Sequence, residues 1–315
     1  MMAWTTRHCR AFHRSLSSNA RVYTEMVTSD ALMHGPRDRL LKHNECEHPI
    51  ALQLGGSDPS HLAQCSRYAE TNGFDEINLN VGCPSDRVQR GQFGACLMLD
   101  PERVGECIAA MRDAITIPVT IKCRLGLDGH DNFTFLRDFV GTCAEKGANT
   151  FIVHARIAIL QGLSPAQNRD VPPLEYGRVQ RLKSEFPELS IILNGGIRTT
   201  EQVVSALAWA DEIMIGRGAY QNPYWLTEIE HLLFRTPLPS GPQSILTRHL
   251  IYIEKELKSG SHLQDMTRHM LCLFNGLPGA RAYRRYLSEH ARKMGAGIDV
   301  IETAARLVTQ KAANV

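Results

Sequence analysis

Residues 50–84 read IALQLGGSDPSHLAQCSRYAETNGFDEINLNVGCP, and they carry the plan of the fold in one unit. Ile50–Leu54 and Glu76–Asn80 are short runs of strand length. Ser60–Asn72, between them, spaces its apolar residues at a helical period. Asp58-Pro59 sets a capping acid ahead of a proline in the first turn, and Gly73 stands where that helix should stop. Strand, helix and strand in this order make a βαβ unit, two parallel strands joined by a right-handed crossover.

The same alternation runs outward in both directions. Further strands are expected at Val22–Glu25, Val119–Lys122, Thr150–His154, Ile191–Asn194 and Glu212–Ile215. Helices are expected at Pro101–Ala114, again capped by an Asp-Pro pair, and at Phe133–Lys146, stopped by Gly147. The fold class is α/β, a (β/α)8 barrel of which seven strands can be counted where eight are needed. Past a Pro/Gly-rich break at Thr236-Pro-Leu-Pro-Ser-Gly-Pro242 the chain reads as helix only, at 243–259, 262–275, 279–294 and 297–312. Two domains are therefore expected, a barrel over 1–240 and a helical domain over 241–315.

Charge divides at the same break. Residues 1–240 hold 24 Lys/Arg against 27 Asp/Glu, a net of −3, whereas residues 241–315 hold 11 against 6, a net of +5. A basic appendage on a mildly acidic body favours a polyanionic partner, although a solvated helix face gives the same count. With 43% hydrophobic and 22% charged residues the composition is that of an ordinary globular protein, and no apolar window is long enough to span a membrane. Nine scattered cysteines without a C-x-x-C pair speak against a disulfide framework or a zinc site, so no metal is expected and a reducing compartment fits. The first 24 residues carry four arginines, several serines and no acid. That composition resembles an organelle targeting segment, against which stands the reading of an opening helix, with the cytoplasm as the expected location.

Functional groups of a parallel barrel gather at the C-terminal ends of its strands. Those ends read Gln53, Asn78-Leu-Asn-Val-Gly-Cys-Pro84, Lys122-Cys-Arg124, His154-Ala-Arg156, Asn194-Gly-Gly196 and Gly216-Arg217. Glycines at two adjacent ends let backbone N–H groups approach a phosphate, and Arg217 adds a fork of donors. A lysine at the mouth of an apolar barrel needs an anion or an electron-rich ring facing it, which Lys122 would find in a flavin. His154 alone would read as a hydrogen-bonded core residue; its phase with Lys122 and Gln53 places it with the site. Cys83 sits in a loop fixed by Gly82 and Pro84, aimed from a strand end toward the axis, where a thiol can deliver a proton. Cys123 should face the other way and pack, and Cys96 is read as structural.

These residues resemble the dihydrouridine synthase family, and its A-type subfamily most closely. The resemblance rests on Leu79-Asn-Val-Gly-Cys-Pro-Ser-Asp-Arg87, Gly94-Ala-Cys-Leu-Met98, Trp4-Thr-x-Arg-His-Cys-Arg10, Tyr23-Thr-Glu-Met26, Leu52-Gln-Leu-Gly-Gly56 and Gly162-Leu-Ser-Pro165. Asn194-Gly-Gly-Ile197, Tyr220-Gln-Asn-Pro223 and Gly279-Ala-Arg-x-x-Arg-Arg-Tyr-Leu287 extend it over essentially the whole chain. It implies an FMN-binding barrel followed by a helical tRNA-binding domain, with NADPH as reductant and tRNA uridines 20 and 20a as substrate. Cys83 is implied as the acid. Met1, Met2, Gln53, Lys122, His154, Asn194, Gly195, Gly196, Gly216 and Arg217 are implied at FMN, and Asn80, Arg169, Arg281 and Arg284 at tRNA. No obligate protein partner is implied. The match of Trp4–Arg10 to the family's first helix favours helix over targeting segment. The sequence departs from the family in three places. Only Met1 and Met2 represent a first strand that ends in Ala-Pro-Met, as a start set too far downstream would leave it. Ile157 and Ala166 each replace a usual lysine.

Overall fold

The computed structural model describes residues 1–85, 88 and 91–312, with side chains as far as Val308. Asp86 and Arg87 of the cysteine-loop motif lie outside the described residues. Seven strands form among them: β1 (Val22–Thr28), β2 (Ile50–Gly55), β3 (Glu76–Val81), β4 (Val119–Arg124), β5 (Thr150–His154), β6 (Ser190–Asn194) and β7 (Glu212–Met214). Each overlaps an expected strand. They lie in the sheet in chain order, and every pair from β2 to β7 is parallel. A strand order that never reverses is singly wound, as in a barrel, and not doubly wound around a switch point.

Local chemistry sets the crossovers. Asp58 accepts from the His61 N–H at the start of helix Pro59–Thr71, and Asp100 does the same for Arg103 in helix Pro101–Ala114. Asn132 caps Phe133–Glu145, and Thr199 with Gln202 forms a capping box on Thr200–Leu207. Gly73 and Gly147 take left-handed φ of +84° and +98° where helices end.

The register then sorts the strand residues onto two faces. Gln53 pairs with Asn78, Asn78 with Thr120, Asn80 with Lys122, Arg124 with His154 and His154 with Asn194. Alternation puts all of these on one face. The intervening residues, Leu52, Leu54, Ile77, Leu79, Val81, Ile121, Cys123, Val153 and Leu193, occupy the other face and are almost wholly buried. A buried parallel sheet is ordinarily apolar on both faces. Here one face is largely polar, with Ile152 and Ile192 beside Lys122 as apolar members, and that is the face on which a site is built.

The described chain forms two compact units: Met1, Tyr23–His43 and the described residues of 48–216, and a helical unit of Met2–Val22, Asn44–Glu47 and residues 217–312. The helical unit therefore takes in residues 217–240 and 2–22, which the sequence groups with the sheet. The reason is side-chain chemistry remote in sequence. Glu230 accepts from the Ser17 and Ser18 hydroxyls at 2.5 and 2.7 Å and from the Asn19 amide, and Trp4 stacks on Tyr220 at 4.2 Å. Thr6 caps the opening helix Arg7–Arg14, whose Arg10 forms a buried 2.6 Å ion pair with Glu47.

The expectation of helix over 262–275 is corrected. Helix Leu263–Thr267 is short, and the backbone continues in turns that reach back three residues, Met270 to Thr267 and Leu273 to Met270, both 3.0 Å. His269 is pinned through both ring nitrogens, to Thr6 and Tyr220. The tighter winding delivers Met270, Leu273 and Phe274 into the same core as Tyr283 and Leu287.

Candidate active site

Cys83 is half-buried in the loop after β3, and its backbone is held on three sides. Its N–H and that of Gly82 donate to Asn80 Oδ1 at 3.0 and 3.1 Å, and its carbonyl accepts from Ala95 N at 3.0 Å. The Gly82 carbonyl accepts from Arg124 Nε at 3.1 Å. Gly94 takes a φ of +73°, and a side chain there would run into Val88 and the Cys83 carbonyl, so glycine lets this turn close over the cysteine. The thiol itself lies 3.6 Å from Ser85 Oγ. Cys123 faces away, sealed in the core, where burial pushes its thiol up to about 12. Cys96 points its sulfur at the Phe93 carbonyl, 3.1 Å away.

Lys122 stands beside Asn80 in the register, and its Nζ donates to Asn194 Oδ1 at 3.0 Å. Burial pushes its ammonium down to about 8; Arg124 lowers it further, while Cys123 and Cys83 pull upward. Asn194 in turn donates to the Met214 carbonyl at 2.8 Å, so its orientation is set. Gln53 lies between two asparagines, donating to Asn78 at 2.8 Å and accepting from Asn80 at 2.9 Å. His154 is buried in register with Asn194.

Past β6, Gly195 and Gly196 adopt φ of +113° and +72°. A Cβ at Gly195 would lie 3.3 Å from His154 Nε2, and one at Gly196 would run into Leu174. Past β7, Gly216 has room, with Met1 Sδ 3.7 Å from where its Cβ would stand. These bare backbones are a donor set an anionic phosphate takes, so the residues fit a phosphorylated cofactor.

The profile for dihydrouridine synthase (Dus) matches residues 1–309. The chain belongs to the dihydrouridine synthase family. A tRNA-dihydrouridine(20/20a) synthase of Vibrio cholerae is 53% identical over 306 residues, which cover 96% of this chain and 93% of that protein. The Escherichia coli K12 protein of the same name is 53% identical over 313 residues, covering 99% and 90%. That of Shewanella oneidensis is 53% identical over 305 residues, covering 96% and 91%.

Within this family member, Cys83, Gln53, Lys122, His154, Asn194, Gly195, Gly196 and Gly216 share one unit with Asn80, Arg169 and Met1. Arg217, Met2, Arg281 and Arg284 fall in the helical unit. There Arg284 donates to Asn275 Oδ1 at 2.6 Å, and Arg281 is exposed one helical turn away. Ile157, in place of the usual lysine, serves through its carbonyl, which accepts from Arg124 at 3.3 Å. The exposed Ala166 precedes the turn Gln167–Arg169, whose Asn168 is fully buried and bonds Ile159, Leu163 and Ser164. Arg124 was read at a strand end but given no role, and Asn168 did not emerge from the sequence as a site residue. An arginine two positions after Lys122 on the same face was the available signal for the first, and nothing local marks the second.

Proposed function

We propose that this dihydrouridine synthase reduces uridine to 5,6-dihydrouridine in the D-loop of tRNA, at positions 20 and 20a, using FMN with NADPH as reductant. One observation carries the chemistry: the thiol-bearing loop and the lysine-bearing strand end lie side by side on a single polar sheet face. The names of relatives matched over nearly their full length support the substrate.

In this reading Gly195, Gly196 and Gly216, with Asn194 before them and Arg217 next in the chain, receive the cofactor phosphate. Lys122, Gln53 and His154 supply charge and donors to the ring, and Met1 and Met2 stand for the end of a first barrel strand. FMN bound there and reduced by NADPH would supply the hydride that C6 of the uracil takes up. Cys83 delivers the proton that C5 takes up, and solvent returns one to the thiolate. Asn80 and Arg169 in the sheet unit, and Arg281 and Arg284 in the helical unit, are assigned to tRNA, whose target base must leave its stack. The seven strands are read as part of an eight-stranded barrel, residues 241–315 as the core of the RNA-binding domain, and the cytoplasm as the compartment.

The Cys83→Ala variant tests the assignment of the acid. It should keep its bound flavin and lose on the order of a hundredfold or more in tRNA reduction. Wild-type turnover in that variant would remove Cys83 from the mechanism.

A further inference from the structure

A hydrogen-bonded chain crosses the polar face from β1 to the cysteine loop. Tyr23 OH and Thr120 Oγ1 lie 3.0 and 2.8 Å from Glu76 Oε1. Asn78 Nδ2 lies 2.8 Å from Thr120 Oγ1, and Gln53 Nε2 lies 2.8 Å from Asn78 Oδ1. Asn80 Nδ2 lies 2.9 Å from Gln53 Oε1, and Asn80 Oδ1 takes the Cys83 N–H at 3.0 Å. Glu76 and Asn78 are almost fully buried, so these groups have no bulk water to fall back on.

The chain is oriented from both ends: at the loop the Gly82 and Cys83 N–H groups can only donate to Asn80 Oδ1, and at the other end Glu76 receives hydroxyls. Glu76 Oε1 accepts from both the Tyr23 and Thr120 hydroxyls. The single hydroxyl hydrogen of Thr120 goes to it, because the competing Ile77 carbonyl is 3.5 Å away. Thr120 is left with lone pairs alone, so Asn78 must offer its NH2. Asn78 therefore turns its carbonyl to Gln53, which must offer NH2 and turn its carbonyl to Asn80. Asn80 then has only one way to stand, with its carbonyl toward the loop. An amide has nearly the same shape either way round, so without an anchor each of the three could flip at the loss of its hydrogen bonds alone. One hydrogen on each of Gln53 and Asn80 stays uncommitted by the chain, so both amides offer the site donors for carbonyl oxygens.

We infer that Glu76 and Thr120 are positioning residues for Cys83, fixing through Asn78, Gln53 and Asn80 the acceptor that holds the cysteine loop. Reversing Asn80 sets an NH2 against the Gly82 and Cys83 N–H groups. The loop then loses both bonds to Asn80 while keeping those to Arg124 and Ala95, and the thiol is no longer held at one point. The role in turnover rests on the function proposed above; the role in holding the loop does not.

Thr120→Val keeps the side-chain shape and deletes the hydroxyl, whereas Thr120→Ser restores it. Thr120→Ala makes the same deletion at smaller volume should valine prevent folding. Iodoacetamide labelling of the protein without tRNA, read cysteine by cysteine by mass spectrometry, gives the rate at Cys83 relative to the exposed Cys46, with core-buried Cys107 reporting loss of fold. The ratio should rise severalfold in Thr120→Val and return in Thr120→Ser. With tRNA, kcat should fall about tenfold in Thr120→Val with KM within about twofold, because a small displacement of the reacting group costs rate and not binding. Unchanged labelling and kcat in Thr120→Val, or a Thr120→Ser variant as impaired as the valine one, would overturn the inference. If the wild-type protein does not reduce tRNA at all, the functional reading fails, and the labelling ratios still decide whether the chain holds the loop.

Discussion

A lysine retained at the end of a buried strand carries its charge only while protein and ligand leave it worth carrying. Burial brings the Lys122 ammonium down to about 8 from its ordinary 10.5, so its charge is present below that pH and lost as pH rises through it. An anionic partner prefers the charged form. Retention of flavin on dialysis should therefore fall as pH is raised from 7 to 9, with proton uptake accompanying rebinding, and Lys122→Met should retain little flavin at any of these pH values. Flat retention across that range would separate Lys122 from the cofactor. At this scale the sequence exposed the residues whose chemistry is out of place at a strand end: Cys83, Lys122, His154 and Gln53. Asn78 stood in a strand-end run but drew no role, and Thr120 and Glu76 drew no notice, because a polar residue inside a strand reads as ordinary filling. The Glu-x-Asn-x-Asn alternation of β3 was the visible trace of their shared face.

The elements were legible where a local signal makes them. Asp58 and Asp100 cap the helices they announce, and Gly73 and Gly147 end theirs in the conformation glycine favours. Residues 262–275 were not, since a short apolar run fits a three-residue turn as readily as a 3.6-residue one, and the pins on His269 lie far away in sequence. The turn after β6 gives a prediction at this scale. Gly196 has a φ of +72°, and an added methyl group runs into Leu174. Gly196→Ala should cost about 1–3 kcal/mol of stability, seen as a lower urea midpoint, and should empty the flavin site. A variant of unchanged midpoint that still binds flavin would mean that the turn has room the structure does not show.

At the scale of the whole molecule, composition announced a helical region and a basic one, but it could not show that residues 2–22 pack with the helical unit, because that grouping rests on bonds spanning more than two hundred residues. The helical unit buries several histidines: His8 bonds Tyr252, His249 bonds Ser15, and His269 bonds Thr6 and Tyr220. Burial lowers them from 6.5 to about 4, 3 and 3. The unfolded chain takes up protons as pH falls through 6.5, and the folded unit does so only near 4 and 3. Unfolding therefore gains protons across that window, so stability is full above about pH 6.5 and declines steadily below it. Urea midpoints measured from pH 7 to 4 should fall, and His249→Gln should flatten the slope; midpoints independent of pH would contradict the burial of these rings. Uridine reduction itself is the most direct readout of the proposed chemistry. The purified chain, supplied with FMN and NADPH, would be incubated with tRNA transcribed without modifications, and the product digested and mapped by mass spectrometry. A gain of two hydrogens confined to D-loop uridines is expected, absent when Cys83→Ala replaces the wild type. NADPH consumed while every uridine remains unreduced, by a protein that holds its flavin, would contradict that chemistry.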